Sequence, residues 1–298
     1  MLSILIPVYN FDVRLLVAEL YEQVNELDIE FEIRCYDDGS YFDFRMNNQR
    51  IAAYPNVTYR ELPENIGRSK IRNLLAKDAK FDSLIFLDCD SLCEKGNFIK
   101  TYLDLNDGKT VICGGTRYAA ETPQDQSLVL HWKTGREREI TPLEERRSRP
   151  YRSFKSNNFF IPKQVFEKVS FNEDLVKYGH EDTLFGQHLK QHKIPILQIE
   201  NPVLHLGLKG THHFIESTHH AVENLAYLIK QGLADKTITL YKAYRTLSFL
   251  RLEKKMFKKL DRNRNFYLNQ LYSSDPDLRK LDKLKLLWLM EEMRKEVG

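Results

Sequence analysis

The chain has 298 residues, of which 42% are hydrophobic and 29% charged, a composition typical of a globular protein with a sizeable core. Its net charge is only +3, so the balance of charges gives no reason to expect a nucleic-acid partner. No apolar stretch is long enough to cross a bilayer, and no secretory signal is visible at the start of the chain.

The first 113 residues alternate short apolar runs, typical of strands, with stretches that have helical spacing. The predicted strands are Leu2–Ile6, Phe31–Tyr36, Val57–Leu62, Ser83–Leu87 and Thr110–Cys113. The predicted helices are Arg14–Leu27, Phe42–Ala53, Arg68–Ala79 and Asn97–Leu105. This alternation predicts an α/β fold, in which helices cover both faces of a mostly parallel sheet.

The pattern breaks between Gln124 and Arg152, a stretch rich in charged residues. Two interpretations fit equally well: a solvated excursion, or a mobile loop that borders a substrate cleft. Regular structure is predicted to resume after it. The expected elements are a strand at Asn158–Ile161, helices near Lys163–Val169 and Glu181–His192, and short strands at Ile196–Ile199 and Val203–Leu206.

Beyond about residue 210 the predicted elements are all helices, at Ala221–Gln231, Ile238–Leu260 and Leu281–Arg294. We therefore predict a first domain over residues 1–210 and a helical extension over 211–298. In the second of these helices Leu240, Tyr244, Leu247 and Leu250 recur at helical spacing, beside Arg251 and four lysines. This pattern favours packing against the first domain or a second subunit, and contact with a membrane surface stays an alternative.

Cysteines and histidines outside the motifs indicate no metal centre. Cys35, Cys89, Cys93 and Cys113 lie in or beside apolar runs without C-x-x-C spacing, so we expect buried, reduced thiols in a cytoplasmic protein. The pairs His212-His213 and His219-His220 are spaced to share a helix face, but a polar helix start is favoured over a metal site.

Asp88 and Asp90 follow directly after the apolar run Ser83–Leu87. An extended chain would point both carboxylates to one side and Cys89 to the other. Acids at the carboxyl end of a buried strand lie where α/β folds bind ligands, and two carboxylates suit Mg²⁺ or Mn²⁺ carrying a diphosphate. Alone, such a pair often does no more than face water.

The ends of the first two strands carry further candidates. Pro7 is expected to stop the first strand, and Tyr9, beside Asn10, offers a flat face on which a nucleobase could stack. Asp38, within Asp37-Asp38-Gly39-Ser40, could accept from a base N–H. Either segment alone is more often only a turn.

The segment 64–73, which includes Asn65 and Arg68, opens a helix with basic groups near its N-terminus. A helix N-terminus favours phosphate oxygens, although such residues alone are usually a solvated face. Glu181 and Asp182 begin another helix, where acids are favoured anyway, but a carboxylate there could also act as a general base. His205 lies at the end of a predicted strand. It could be a metal ligand beside Asp90, or a histidine of the core.

Together, residues 3–10, 37–40, 64–73, 88–90 and 179–186 resemble the family-2 glycosyltransferases with a GT-A fold. The resemblance covers about residues 1–210 and implies a GT-A catalytic domain there, followed by the helical extension. It implies transfer of a sugar from a nucleotide-diphospho-sugar, by default a UDP-sugar, to an acceptor hydroxyl of a glycan or lipid-linked saccharide. The anomeric configuration would be inverted in a metal-assisted single displacement.

The resemblance also implies a donor site and a catalytic pair. The donor-binding residues would be Pro7, Tyr9, Asn10, Asp38, Asn65, Arg68 and Asp88, with Asp88 facing the ribose. Asp90 would bind a divalent cation, Mn²⁺ or Mg²⁺, and His205 resembles a metal-binding histidine of many relatives. Asp182 would be the base, and Glu181 would contact the acceptor hydroxyl.

Two alternatives remain: a sugar-1-phosphate nucleotidyltransferase and a non-catalytic nucleotide-sugar-binding protein. The first needs a glycine-rich loop after strand one, where this chain has Pro7-Val8-Tyr9-Asn10. Processive relatives carry a Gln-x-x-Arg-Trp-type motif that this chain lacks, which favours addition of a single sugar. A cytoplasmic location, with peripheral contact at the inner face of the membrane as an option, fits this assignment, and the oligomeric state is open.

Overall fold

The structure is a computed structural model of the chain, and it describes residues 1–175 and 179–295. Its strands and helices alternate over the first half of the chain. The strands are β1 (Leu2–Val8), β2 (Phe31–Asp37), β3 (Val57–Glu61), β4 (Ser83–Leu87), β5 (Ser91–Leu92), β6 (Val111–Cys113), β7 (Thr116–Arg117), β8 (Asn158–Pro162), β9 (Ile196–Gln198) and β10 (Val203–His205).

The helices become the dominant element in the second half. They are α1 (Arg14–Asn25), α2 (Phe42–Asn48), α3 (Arg68–Asp78), α4 (Phe98–Asp104), α5 (Val129–Thr134), α6 (Leu143–Ser148), α7 (Lys163–Val169), α8 (Glu181–Gln191), α9 (Thr211–Lys230), α10 (Thr239–Phe249), α11 (Glu253–Arg262), α12 (Arg264–Leu271) and α13 (Leu278–Arg294). Short 3-10 segments at Gln49–Ala53 and Gln126–Leu128 and a π-helical turn at Gly135–Glu139 complete the regular structure of the described residues.

Seven strands form one sheet in the order β3-β2-β1-β4-β8-β6-β9. All neighbouring pairs are parallel except those of β8, which runs antiparallel to both β4 and β6. The predicted α/β fold with a mostly parallel sheet is therefore confirmed. The carboxyl ends of β1, β2 and β4 meet at one edge, where such sheets bind ligands.

Alternation along β1 divides the core between the two faces of this sheet. Leu2, Ile4, Ile6 and Val8 belong to one buried cluster, which α1 and α4 cover, whereas Leu5 belongs to a second cluster, covered by α3, α7 and α8. Burying both faces explains why the central strands read as unbroken apolar runs rather than as an alternating pattern.

β1 continues through Pro7 to Val8, so the prediction that Pro7 ends the strand is wrong. The pairing of β1 with β4 covers only Ser3–Leu5, and at Pro7 the strand pairs with β2 alone. A residue without a backbone N–H is tolerated there because the ladder is no longer two-sided.

A second, three-stranded sheet in the order β5-β10-β7 was not predicted, since β5 and β7 have two residues each. Ser91 of β5 pairs with His205 of β10. To enter this sheet the chain turns after β4, and Ser91 N donates to Asp88 O at 3.2 Å. The expectation of an extended backbone through Asp88 and Asp90 is therefore wrong.

The described residues divide into two compact units: residues 1–119, 138–175 and 181–207, and residues 120–137, 179–180 and 208–295. The second unit is helical, and its core is formed by residues of α9, α11, α12 and α13 with Leu130 of α5. No helix among the described residues combines the length and apolar character needed to cross a membrane.

The stretch from Gln124 to Arg152 is not an irregular excursion, because it contains α5, a π-helical turn and α6. Val129, Leu130 and Arg146 are buried. The guanidinium of Arg146 donates to Gln198 Oε1 and to Ile199 O, at 3.0 and 2.9 Å. The stretch is therefore largely helical, with buried residues at 129–131 and at Arg146, while most of its other residues are exposed to solvent. That it borders a substrate cleft stays a prediction.

The predicted helix over Ile238–Leu260 is two helices, α10 and α11, and α9 begins ten residues before its predicted start. α10 ends at Phe249, and Arg251, two residues beyond it, has a left-handed φ of 57°. Leu252 N donates to Leu247 O, and Arg251 N donates to Ser248 O, which is the hydrogen-bond pattern of a Schellman cap. Glycine is the usual residue at that position, so this helix end could not be predicted from an arginine there.

Candidate active site

The loop after β1 presents Tyr9 and Asn10. Tyr9 is 50% exposed, and Asn10 adopts a left-handed φ of 50°. Asn10 Oδ1 accepts from Tyr41 N, and Asn10 N donates to Ser40 Oγ, both at 2.8 Å. Asn10 therefore ties the end of β1 to the loop after β2, while the ring of Tyr9 remains accessible at the edge of the sheet.

The two acids at the end of β2 have different environments. Asp37 is fully buried; its Oδ1 accepts from Ser40 N at 2.7 Å and its Oδ2 from Tyr59 Oη at 2.8 Å. Because both oxygens of Asp37 accept hydrogen bonds from the protein, Asp37 stabilises the loop after β2. The neighbouring Asp38 instead contacts the segment that leads into α3.

Asp38 holds the N-terminal approach to α3. Its Oδ1 accepts from Ile66 N at 2.7 Å, and its Oδ2 accepts from Gly67 N at 3.1 Å. Burial raises the pKa of Asp38, and these two N–H groups act against that rise. Asp38 thus positions the segment that carries Asn65 and Arg68, and any contact with a base would share oxygens that already bind this segment.

Gly39 lets that segment come close. Its φ is 75°, and a Cβ on it would lie 2.9 Å from Asn65 N and 3.0 Å from Glu64 C. Any other side chain would push the segment away and is disfavoured at this φ. The result places Asn65 and Arg68, both exposed, directly beside the end of β2.

Arg72 is a buried residue of the candidate site whose contact with Asp88 the sequence analysis did not predict. Its side chain is only 2% exposed, and its Nη2 donates to Asp88 Oδ1 at 2.5 Å. Its guanidinium carbon also lies 5.5 Å from the centre of the Phe171 ring. A buried guanidinium requires an acid, so Arg72 fixes Asp88 at the end of β4. The signal was available, because Arg72 shares the buried face of α3 with Ile71 and Leu75.

Asp90 and His205 lie next to each other at the small sheet, with His205 Nδ1 3.5 Å from Asp90 Oδ1. Burial opposes ionisation of Asp90, but the hydrogen bond and charge of His205 hold the pKa of this carboxyl below its usual range. Burial likewise opposes protonation of His205, and Asp90 outweighs it, so the pKa of the imidazole is raised. The two groups stabilise each other's charged forms.

This pair fits a divalent cation. A carboxylate and an imidazole are donors that Mn²⁺ accepts. Gly207 makes room for the Asp90 carboxylate, because a Cβ at residue 207 would collide with Asp90 Oδ2. In the described part of the chain, no third His, Cys or acidic ligand atom lies within 4.8 Å of both. Two protein ligands leave positions for diphosphate oxygens, and binding would displace the proton on His205.

Glu181 and Asp182 begin α8, as predicted from their spacing. Asp182 Oδ1 is buried and has no hydrogen-bond partner among residues 1–175 and 179–295. Burial, with the nearby charge of Glu181, raises the pKa of Asp182 to about 6, although Ser156 donates a hydrogen bond to it. A buried carboxylate with an unused oxygen is suited to accept a proton near neutral pH.

Arg68 connects the two ends of the site. Its Nη1 lies 3.7 Å from Glu181 Oε1. The charge of Arg68 also acts on Asp38 and on Asp90. The residues predicted separately at the strand ends, at the start of α3 and at the start of α8 therefore surround one position in the first unit.

A cleft of about 320 Å³ in the same unit is lined by residues that include Phe11, Cys89, Ser91 and Leu206, but not by Asp90. The prediction that the cysteines are free thiols is confirmed, and three of the four are buried. Cys89, the fourth, is partly buried, and burial raises the pKa of its thiol, which disfavours the thiolate.

Among the described residues, one group of three possible metal ligands lies in the second unit. It consists of His219, Glu223 and Glu292. Lys295 Nζ lies 2.5 Å from Glu292 Oε1, and Trp288 packs on the ring of His219. The ammonium of Lys295 therefore compensates the negative charge of Glu292, so this group does not need a metal ion for charge balance. His212 and His213 lie in the first turn of α9, in keeping with the polar helix start that the sequence favours.

The sequence model of the glycosyl transferase family 2 matches residues 3–170, more than half of the chain. Among curated proteins, a chondroitin synthase of Pasteurella multocida (strain Pm70) is 27% identical over 221 residues. The match covers 63% of this chain and 23% of the relative, so the chain spans about a quarter of that protein's length.

Two solved structures resemble the fold. One is a mannosyltransferase of Pyrobaculum calidifontis in complex with GDP-Man and Mn²⁺, with a TM-score of 0.60 at 15% identity, over 100% of this chain and 88% of that one. The other is a glucosyl-3-phosphoglycerate synthase of Mycobacterium tuberculosis in complex with Mg²⁺ and UDP, with a TM-score of 0.52 at 14% identity, over 79% and 80%. The predicted GT-A fold is confirmed.

Proposed function

The chain belongs to glycosyl transferase family 2, and we propose that it transfers a sugar from a nucleotide-diphospho-sugar to an acceptor hydroxyl with inversion of the anomeric configuration. UDP is the nucleotide to test first, followed by GDP and dTDP. The acceptor is proposed to be a glycan or a lipid-linked saccharide, which receives one sugar in each reaction.

The observation that carries this proposal is the contact between Arg68 and Glu181 at 3.7 Å. Arg68 belongs to the segment proposed to hold the donor diphosphate, and Glu181 belongs to the acid pair proposed to meet the acceptor. Direct displacement requires donor and acceptor groups to lie close enough for the hydroxyl to reach the sugar carbon. The contact supports a single centre for both.

In the proposed step the acceptor oxygen forms a bond to the anomeric carbon while the bond from that carbon to the diphosphate oxygen breaks. The diphosphate leaves with the electron pair, and Asp182 takes the acceptor proton. One base and no enzyme nucleophile are needed. The unused buried oxygen of Asp182 and its pKa of about 6 support this role, and Glu181 is proposed to orient the hydroxyl.

On the donor side, the exposed ring of Tyr9 is proposed to stack on the base, with Pro7 and Asn10 shaping the loop beneath it. Asp38 and Asn65 are proposed to meet the base and Asp88 the ribose. Asp90 and His205 are proposed to hold Mn²⁺ or Mg²⁺. When bound, such an ion neutralises charge that develops on the leaving diphosphate.

Residues 1–210 are proposed as the catalytic domain and 211–298 as a helical extension. The free cysteines support a reducing, cytoplasmic location.

The test is incubation of the purified chain with a panel of nucleotide-sugars, Mn²⁺ and saccharide acceptors, with analysis of the released nucleotide. Release of nucleoside diphosphate that depends on acceptor supports the proposal. Release of pyrophosphate would instead identify a sugar-1-phosphate nucleotidyltransferase, and nucleotide binding without any release would identify a non-catalytic binding protein.

A further inference from the structure

The corner between α10 and α11 exposes apolar side chains that the rest of the second unit does not cover. Phe249 is 87% exposed, more than any other large apolar side chain among the described residues. Leu250 and Leu252, which flank the corner, are 54% and 42% exposed. Three adjacent exposed apolar residues are costly in water and indicate a surface that meets another apolar phase.

The apolar stripe that suggested a membrane helix from sequence contributes one residue, Leu250, to this surface. Its Leu240 and Tyr244 pack against the core of the second unit, and so do Met256 and Phe257 of α11. Leu250 is exposed together with Phe249 and Leu252 at the point where the Schellman cap at Arg251 ends α10.

A collar of positive charge surrounds the corner. Eight Lys and Arg side chains of α10, the corner and α11 are exposed, against two acids: Lys242, Arg245, Arg251, Lys254, Lys255, Lys258, Lys259 and Arg262. Within the described ranges, no ion pair reaches any of the eight. The lysines of α11 recur at a spacing of four, so they share one face of that helix.

The two acids are already engaged. Glu253 lies 3.5 Å from Arg294, and Asp261 lies 2.8 Å from Arg264. The surface charge of this corner is therefore uncompensated. A polyanion would need only the charge, whereas an anionic bilayer needs both features, the basic collar for its headgroups and the apolar side chains for the region beneath them.

We propose that the α10–α11 corner is a membrane-docking surface, in which Phe249, Leu250 and Leu252 enter the headgroup layer of a bilayer that contains anionic phospholipids, while the lysines of α11 contact the lipid phosphates. The attachment is peripheral and reversible, because three side chains are a small anchor and the charge contribution is screened by salt. The inference does not depend on the proposed reaction.

The test is co-sedimentation of the full chain with vesicles of phosphatidylcholine alone and with about one third phosphatidylglycerol, a composition that supplies the anionic surface. Binding is expected only to the anionic vesicles, and it should weaken in high salt. The triple variant F249S/L250S/L252S should lose at least about tenfold in partitioning. Its matched control, Y227S/L233S/Y272S, changes three similarly exposed residues of the same unit and should bind as the unchanged chain does.

The charge is tested separately with K254Q/K258Q, which should weaken binding by about 30-fold, against K236Q/K283Q as control. Thermal unfolding confirms that each variant is folded. Failure to bind either vesicle would overturn the proposal. So would equal binding by the F249S/L250S/L252S variant, since charge alone would then suffice, as for RNA or an acidic glycan. Self-association that this variant abolishes, seen by light scattering, would identify the corner as a subunit interface instead.

Discussion

The acids at the end of β4 and those at the start of α8 have the same side-chain chemistry but opposite environments. Asp88 is held by the buried guanidinium of Arg72 at 2.5 Å, and Asp90 lies 3.5 Å from His205. Asp182 has an orphan buried oxygen and an acidic neighbour. The pKa of Asp90 is lowered, while the pKa of Asp182 is raised to about 6.

This difference indicates how one site divides its work. A carboxylate that a cation stabilises stays ionised and can bind a metal or orient a sugar. A carboxylate that burial destabilises takes up a proton readily, as a general base must. The predictions below separate these two functions, in order of decreasing effect.

Asp182→Asn should reduce transfer by about a thousandfold, because a carboxamide cannot accept the hydroxyl proton. The measurement is the initial rate of nucleoside diphosphate release with saturating acceptor. Glu181→Gln is the matched control and should lose less, since it removes a contact rather than the base. Equal losses in the two variants would contradict the assignment of the base to Asp182.

Asp90→Asn should reduce transfer by about a hundredfold, and added Mn²⁺ should restore part of the activity by mass action. The measurement is the rate as a function of Mn²⁺ concentration, in which the variant should need far more metal than the unchanged chain. A rate with an unchanged metal dependence would exclude Asp90 as the ligand.

Arg72→Met should destabilise the fold by about 2 kcal/mol, because it leaves Asp88 partly buried without its cation. Unfolding in urea measures this. The double variant R72M/D88N should recover much of the loss, since it removes the uncompensated charge as well. If the double variant is no more stable than R72M, the ion pair is not what Arg72 contributes.

The rate should fall about tenfold per pH unit below the pKa of Asp182, which is about 6, and level off above it. The sign follows from the raised pKa. Asp182 must lose its proton before it can act as a base, and in the protein it keeps that proton to a higher pH than an exposed aspartate would. The measurement is kcat/KM between pH 5 and 8, because this parameter reports the pKa of the free enzyme. A rate that is flat down to pH 5 would mean that the base has an ordinary pKa.

Much of the donor side was predictable, because each of its residues follows an apolar strand or opens a helix. Tyr9, Asp38 and Asp88 lie at strand ends, and parallel strands bring their carboxyl ends to one edge. The Asp90–His205 pair, which we propose as metal ligands, could be predicted for the same reason, although β5 and β10 have only two and three residues.

Two kinds of feature could not be predicted from the sequence. One is contact between side chains far apart in the chain, and the other is a backbone conformation at a residue that rarely adopts it. Arg72 and Asp88 are 16 residues apart in the chain, and no local sequence pattern predicts their contact. Arg251 adopts a left-handed backbone conformation at a position where glycine is the usual residue. Helix α6 depends on buried contacts of Arg146 with residues 198 and 199, which lie about 50 residues later in the chain.

The most direct test of the divided site is nucleotide binding by D90N and D182N, measured by calorimetry with UDP and GDP, with and without Mn²⁺. The account predicts that D182N binds nucleotide as tightly as the unchanged chain in the presence of Mn²⁺, and that D90N loses the increment that Mn²⁺ provides. Weakened binding by D182N together with intact Mn²⁺-dependent binding by D90N would contradict it.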